Sequence, residues 1–206
     1  MGAIFRREVR SYFTSPIGYI FLAAFYAYSG VMFANYSLES GYTRLDSVFS
    51  ALLIIIIVLI PVLTMRTISE EKRTKTDQCL LTAPVGLGSI VVGKFLAAFL
   101  IYIIAIAITG VFAVVVSAFG TPDWNVVVGN IVALALVGGA YIAIGIFCSS
   151  FTENQIVAAV ISFIALIFVS FLSTIGNLLP FEWLTTVCEK VSFGERYYSF
   201  TYGLFD

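Results

Sequence analysis

Histidine is absent from this sequence, and cysteine and charged residues are scarce. The 206 residues contain no histidine, three cysteines and 11% charged side chains. Because histidine is the commonest general base and metal ligand at neutral pH, its absence excludes zinc metalloprotease helices and intramembrane serine–histidine hydrolases. The cysteines, Cys79, Cys148 and Cys188, are too few and too dispersed for a disulfide framework or a metal site. These absences argue against an enzyme with its own catalytic or metal centre.

A surplus of positive charge is also missing. The formal net charge is −1, whereas phosphate binding needs clustered lysine and arginine on an exposed face, so a nucleic-acid partner is excluded. No Gly-x-x-x-x-Gly-Lys-Ser/Thr loop occurs in the sequence, and the chain therefore has no Walker A site. No ionisable residue lies near the centre of an apolar run, which disfavours an ion-coupled carrier or a channel.

What the sequence has in abundance is long apolar runs. Apolar residues make up 60% of the chain, and a transmembrane helix needs about 20 of them in succession. The β-branched run 51–60 would suit a strand in water, but in lipid the backbone must satisfy its own hydrogen bonds, so this run is helical. We predict an all-α polytopic membrane protein with a single domain over 1–206. Its predicted spans are 17–38, 48–65, 90–118, 126–148 and 155–173.

A cleaved signal peptide is the alternative for the first of these runs. The apolar region of a signal peptide is about 7–15 residues long and ends in a small-residue cleavage pattern. This run continues to Tyr36, is rich in aromatic residues and has only a poor cleavage candidate near Ala34. The length therefore favours a retained span.

Small and polar residues inside the spans predict how the helices meet. Gly138, Gly139 and Gly145 indicate close helix packing, either within the chain or at a dimer seam. The short turn 149–154 makes the fourth and fifth spans antiparallel neighbours. Uncharged polar residues in spans usually hydrogen-bond between helices. Here they are Thr109, Asn130, Ser162 and Ser170.

Lysine and arginine predict the orientation, because they remain on the cytoplasmic side. With the N-terminus inside, the cytoplasmic segments hold Arg6, Arg7, Arg10, Arg66, Lys72, Arg73, Lys75 and Lys94. The external segments hold Arg44, Lys190 and Arg196. The N-terminus is therefore predicted to be cytoplasmic, and the segment 174–206 to be external, with short helices at the outer interface.

The N-terminal segment 1–15 is predicted to form an amphipathic helix. Its apolar residues fall on one half of a helical wheel and its three arginines, Arg6, Arg7 and Arg10, on the other. The apolar half consists of Ile4, Phe5, Val9, Tyr12 and Phe13. We expect this helix to lie on the inner membrane surface. The alternative role is a topological anchor that only touches anionic lipid, at about 1 kcal/mol per basic residue.

The segment 66–84 holds the densest charge in the chain and lies between two predicted spans. We predict a cytoplasmic helix in which Ser69 is the N-cap and Glu70 and Glu71 occupy the first turn, where the helix dipole favours acids. Pro84 and the following glycine would end it. The alternative is a solvated charged loop.

The order of these elements resembles the permease subunits of ABC-2 type exporters, and most of all their gliding-motility and nitrous-oxide-reductase-associated branch. The most specific part is Glu-Lys-Arg-Thr at 71–74 followed by Leu-Leu-Thr-Ala-Pro at 80–84 and Gly-Lys at 93–94. The phrases at 12–19, 152–155 and 193–200 are also similar to that branch. The resemblance extends over essentially the whole chain.

This resemblance implies that the N-terminal helix, with Arg6, Arg7 and Arg10, and the coupling helix 66–84 contact a separate ATP-binding subunit. The residues implied at that contact are Glu70, Glu71, Arg73, Thr74, Asp77, Leu80, Leu81 and Pro84. It also implies a second permease half, identical or homologous, in a bacterial inner membrane. ATP and Mg²⁺ would be bound by the partner, and this chain would hold no cofactor, metal or catalytic residue.

Two departures from the family pattern stand out. Family members usually read Gly-Thr-Ile-Glu where this chain has Lys-Thr-Asp-Gln at 75–78, so a carboxylate is replaced by the amide of Gln78. They also usually have a sixth span, and we expect this sequence to be truncated before it. The alternative function is an ATP-independent membrane scaffold or carrier that uses the cytoplasmic helix to bind a partner. The sequence identifies no substrate and no substrate-path residue.

Overall fold

The computed structural model describes residues 2–38, 45–76, 86–118, 120 and 124–172. Helices account for nearly all of these residues, and no strand occurs among them, so the predicted all-α fold is confirmed. The helices are α1 (Gly2–Thr14), α2 (Pro16–Phe33) with a π-helical segment (Ala34–Leu38), α3 (Asp46–Thr64), α4 (Ser69–Arg73), α5 (Leu87–Ser117), α6 (Trp124–Ser149) and α7 (Gln155–Ser170).

Four helical stretches in the described part of the chain are long and apolar enough to cross a bilayer: Pro16–Ser37, Ser47–Arg73, Leu87–Ser117 and Trp124–Ser149. They overlap the first four predicted spans. Helix α7, at the fifth predicted span, is apolar but only 16 residues long. The chain is therefore a multi-pass membrane protein.

Helix α3 lies at the centre of the bundle, in contact with α2, α6 and α7. Leu52, Ile56, Ile60 and Leu63 recur at helical spacing and are all buried, which places one stripe of α3 in the core. Ile54 and Val58, on the opposite side of α3, are exposed. In lipid, this outward apolar surface carries no cost, because hydrocarbon tails are as apolar as the side chains.

Glycines on α6 allow its neighbours to approach closely, as the sequence predicted. A Cβ atom at Gly138 would lie 2.2 Å from the ring of Tyr102 on α5, and one at Gly145 would lie 2.3 Å from Thr64 Oγ1 on α3. Both contacts are internal to the chain. The predicted close packing is therefore confirmed. The sequence allowed it either within the chain or at a dimer seam, and these contacts lie within the chain.

The polar residues of the spans divide into two groups. Ser162 and Ser170 join α7 to α6. Ser162 donates to the Gly145 carbonyl at 3.5 Å, and the hydroxyls of Ser170 and Tyr141 are hydrogen-bonded at 2.7 Å. The prediction of hydrogen bonds between helices is confirmed for these two. The side chains of Thr109 and Asn130 instead donate to carbonyls of their own helices, at 2.6 and 2.8 Å.

Helix α1 packs against α5 and α2, so its apolar face is covered largely by protein. Tyr12 is buried, and Phe5 and Val9 pack against the core. Gly93 on α5 makes room for this contact, because a Cβ atom there would lie 3.1 Å from Ile4 Cγ2. This face therefore docks on the bundle, and the exposed side of α1 carries the arginines. The position of α1 at the inner membrane surface stays a prediction.

Candidate functional site

Four segments far apart in sequence meet at one end of the bundle. They are α1, the junction between α3 and α4 with α4 itself, the beginning of α5, and the turn between α6 and α7. Helix α1 contacts α5, and α4 contacts α7. Side-chain contacts connect these segments directly. Arg7 on α1 pairs with Glu71 on α4, and Lys72 on α4 donates to the Ser150 carbonyl in the turn between α6 and α7. This end also carries most of the charged side chains that the structure describes.

Helix α4 is much shorter than the coupling helix predicted over 66–84. It ends at Arg73, and Lys75 adopts a left-handed backbone conformation with φ of 55°. Thr74 closes the helix, because its hydroxyl donates to the Glu70 carbonyl at 2.8 Å. A continuous helix through Lys75 is therefore excluded. The remainder of the predicted helix, 77–84, lies outside the described residues.

The predicted N-cap at Ser69 is wrong. Ile68 is the N-cap residue and provides no side-chain cap, while the buried Ser69 hydroxyl donates to the Met65 carbonyl. The amides of Ile68 and Ser69 donate instead to Ser149 Oγ on α6, both at 3.2 Å. Ser149 also donates to the Met65 carbonyl at 3.2 Å. A hydroxyl about 80 residues away in sequence thus caps α4.

Four charged side chains form the centre of the site, and we refer to Arg7, Glu8, Glu71 and Lys94 as the charge ring. Arg7 Nη2 lies 2.6 Å from Glu8 Oε1 and 2.7 Å from Glu71 Oε1. Lys94 Nζ lies 2.8 Å from the same Glu71 oxygen and 3.3 Å from the same Glu8 oxygen. Cations and carboxylates therefore alternate around the ring, and its net charge is zero.

The two cations of the charge ring differ in their environment. The Lys94 side chain is 2% exposed, whereas that of Arg7 is 51% exposed. Lys94 also donates to the Thr67 carbonyl at 2.7 Å, so its ammonium group makes two hydrogen bonds, to Glu8 and Thr67, and a further ion pair with Glu71. Burial lowers the pKa of Arg7, but hydrogen bonds and charges from Glu8 and Glu71 outweigh it, so the pKa is raised. Arg7 stays fully charged.

Tyr12 and Arg66 extend the network along α1. The Tyr12 hydroxyl donates to the Leu63 carbonyl at 3.1 Å, and burial raises its pKa to about 12. Arg66 Nε lies 2.7 Å from Glu70 Oε2, and its guanidinium also donates to the Ser15 hydroxyl. These contacts join the end of α3 to the link between α1 and α2.

A cleft of about 310 Å³ opens beside the charge ring. It is lined by the ring residues together with Ser11, Tyr12, Arg66, Thr67, Glu70, Thr74 and Thr76. On the other side of α4, Lys72 donates to the Ser150 carbonyl in the turn between α6 and α7. Helix α4 is therefore held from both sides by charged or polar contacts.

The structure separates the predicted contact residues into three groups. Glu70 and Glu71 form ion pairs within the chain. Arg6, Arg10 and Arg73 are exposed and have no acidic partner in the part of the chain that the structure describes, and Thr74 is exposed beside them. Asp77, Leu80, Leu81 and Pro84 lie outside the described residues, as do Cys79 and Gln78.

Several residues of the site were not singled out by the sequence analysis. Glu8 is the one acid in a helix otherwise rich in arginine, and this irregularity was a usable signal. Lys94 was noted as a topological charge and as part of the Gly-Lys motif, but no contact was predicted for it, although it sits in an apolar helix that begins at Leu87. Ser149 gave no signal, because nothing local to it predicts a cap for α4.

This arrangement is suited to holding helices together rather than to bond chemistry. Over the described ranges, no group of three or more cysteine, aspartate or glutamate side chains is placed to hold a metal ion. The carboxylates are all neutralised by cations of the same chain, while several cations face outward. The site is a rigid polar junction with a basic outer surface.

Comparison with known families gave one finding. A family model described as ABC-2 family transporter protein matches residues 3–188, which is most of the chain and includes α1, α4 and the charge ring. Comparisons with curated proteins and with solved structures gave no match.

Proposed function

The chain belongs to the ABC-2 transporter family, and from this membership we propose that it is the membrane permease subunit of an ATP-binding-cassette exporter. The observation that carries the proposal is the family match over residues 3–188. The sequence has no Walker A loop, so ATP hydrolysis, with its Mg²⁺, is assigned to a separate subunit. The membrane-spanning helices of this chain, with a second permease half, would form the substrate path.

We propose that the subunit works by alternating access. Two ATPase subunits close on nucleotide, the α1–α4 surface follows them, and the paired permease halves rearrange around the substrate path. A rigid protrusion transmits such a displacement, whereas a flexible loop dissipates it. The charge ring supports this mechanism because it fastens α1, α4 and α5 together at the end where the partner would bind.

The proposed docking surface consists of the outward residues Arg6, Arg10, Arg73 and Thr74, together with the predicted contacts Asp77, Leu80, Leu81 and Pro84. Glu70 and Glu71 would shape this surface from within. The excess of lysine and arginine at this end supports a cytoplasmic N-terminus in a bacterial inner membrane. The motifs at 71–74 and 80–84 support the gliding-motility and nitrous-oxide-reductase-associated branch.

The test is to tag the full chain in its native host, solubilise it in mild detergent and identify the co-purifying proteins by mass spectrometry. We expect an ATP-binding-cassette subunit in stoichiometric amount. A well-folded chain recovered without such a subunit would overturn the proposal and favour an ATP-independent scaffold or carrier.

A substitution sharpens this test. Arg73→Glu reverses an exposed charge on α4 that has no acidic partner among the described residues, and it should weaken association with the ATPase subunit without affecting membrane insertion. Glu153→Lys is the matched control, because it makes a charge change of equal size in the exposed turn between α6 and α7. Equal recovery of the ATPase subunit with both variants would contradict the assignment of α4 to the docking surface.

A further inference from the structure

We propose that Lys94 is a positioning residue that makes α1, α4 and the beginning of α5 move as one body, so that a displacement of the α1–α4 surface is carried into the membrane through α5. This inference rests on the proposed function. It assigns the force-transmitting step to a buried lysine on α5 that lies behind the docking surface.

The hydrogen-bond geometry makes Lys94 the meeting point of three separate segments. Its ammonium group reaches Glu8 on α1 at 3.3 Å, Glu71 on α4 at 2.8 Å and the Thr67 carbonyl at the junction between α3 and α4 at 2.7 Å. The contacts to Glu8 and Thr67 are hydrogen bonds, and the contact to Glu71 is an ion pair. Any movement of α1 or α4 relative to α5 must therefore break at least one of these contacts.

Burial distinguishes Lys94 from Arg7, the other cation of the charge ring. Arg7 is half exposed, so water, salt ions or a carboxylate of the partner can compete for it. Lys94 is 2% exposed and beyond the reach of such competition. Docking of a partner can thus alter the outer side of the ring while the inner side continues to hold α1 and α4 on α5.

The choice of a lysine at this position is informative because stability alone does not require it. A buried ion pair is often no better for stability than well-packed apolar side chains. Removal of only the lysine, however, leaves Glu8 and Glu71 in a poorly solvated place with Arg7 as their sole described cation. The charge ring therefore favours one defined arrangement of the three helices, and Lys94 determines which arrangement that is.

The experiment measures whether α5 follows the ATPase subunit. In a cysteine-free background, spin labels at Val111 on α5 and Ile164 on α7, both exposed, report the distance between the far halves of these helices. The chain is reconstituted in nanodiscs with its ATPase subunit, and distances are measured with and without a non-hydrolysable ATP analogue. For the unsubstituted chain we expect a nucleotide-dependent shift in this distance.

Lys94→Met should abolish this shift while the ATPase subunit remains bound. Glu153→Gln is the control, because it removes a single charge from an exposed side chain that lies outside the docking surface and has no ion-pair partner in the described residues, and it should keep the shift. Should Lys94→Met fail to fold, Glu8→Gln removes the negative charge that pairs α1 with Lys94, and with Arg7, with little change in shape, and it should reduce the shift. A full shift in a folded Lys94→Met or Glu8→Gln variant would overturn the inference.

The proposed function is tested separately by the unsubstituted chain. If that chain binds no ATPase subunit, the proposed function fails, and this inference with it. If it binds the subunit and shows the shift, the variants decide on Lys94 alone.

Discussion

Gly138, which has no side chain, determines how closely α5 and α6 approach each other. The ring of Tyr102 occupies the place where a side chain of Gly138 would begin, and its hydroxyl donates to the Leu134 carbonyl at 2.7 Å. Both the packing and the hydrogen bond require this position to be glycine. The sequence predicted the close contact but not the tyrosine that makes it.

Gly138→Ala should destabilise the protein by about 1–3 kcal/mol, since the new methyl group overpacks the contact and displaces the Tyr102 ring. The measurement is the thermal unfolding midpoint of the purified protein in detergent. Gly110→Ala on α5 is the matched control, because no described atom beyond the adjacent backbone of its own helix lies within 4 Å of the position its Cβ would take. It should be neutral or stabilising by up to about 1 kcal/mol, through helix propensity. Equal midpoints for the two variants would contradict the packing described for Gly138.

The charged residues show where prediction from sequence ends. Arg7, Glu71 and Lys94 were all predicted to lie at the cytoplasmic end, because hydropathy and the positive-inside rule depend only on local sequence. In the folded chain, Glu71 pairs with Arg7, which lies 64 positions earlier in the sequence, and with Lys94, which lies later. These pairs are a property of the folded chain. Helical periodicity carries no information about such pairs, so their pairing could not be predicted.

At the scale of elements, α4 departs most from its prediction. A run of charged, helix-favouring residues predicted one helix over 66–84, whereas the structure has a short helix that ends at Arg73. Its position is determined by tertiary contacts: Ser149 caps its first amides, and Lys72 reaches Ser150. Helix propensity is a weak preference that such contacts override.

Ser149→Ala should loosen the junction between α3 and α4. The substitution leaves the amides of Ile68 and Ser69 without their described acceptor, which costs about 1–3 kcal/mol when such groups are buried. Hydrogen–deuterium exchange of the segment 65–73 measures this directly, and exchange should accelerate there.

Ser150→Ala is the control for this prediction. The Ser150 hydroxyl is exposed and donates only locally, to the Phe147 carbonyl at 2.6 Å. Its removal should change stability by no more than about 0.5 kcal/mol. Unchanged exchange at 65–73 in Ser149→Ala would show that the junction does not depend on this hydroxyl.

For the whole molecule, composition and run length were sufficient to predict the all-α, multi-pass architecture, because the bilayer leaves a single chain few ways to satisfy its backbone. The four long spans follow from runs of the required length. The docking of α1 on the bundle was not predicted. An amphipathic pattern shows that one face of a helix is apolar. It does not show whether that face contacts lipid or the apolar surface of α5, because either can bury it.

The order of the helices predicts on which side of the membrane each connection lies. Single cysteines at Thr76 and Glu153 should react with a membrane-impermeant maleimide only from the cytoplasmic side, because two long helices, α5 and α6, separate these positions. A cysteine at Gly120, between those helices, should react only from the opposite side. Labelling of intact cells and of inverted vesicles distinguishes the two sides. Reaction of Thr76 and Glu153 positions from opposite sides would contradict the predicted topology.

The contact between Tyr102 and Gly138 also restricts how the molecule can move. Translation of α5 along α6 would carry the Tyr102 ring away from Gly138 and onto Leu134 or Ile142, which are fully buried neighbours one helical turn away. Rotation of the two helices about the contact between Tyr102 and Gly138 avoids this clash and keeps the Tyr102 hydroxyl on the Leu134 carbonyl. The two helices can therefore rock about this contact but cannot slide past each other without displacing the Tyr102 ring.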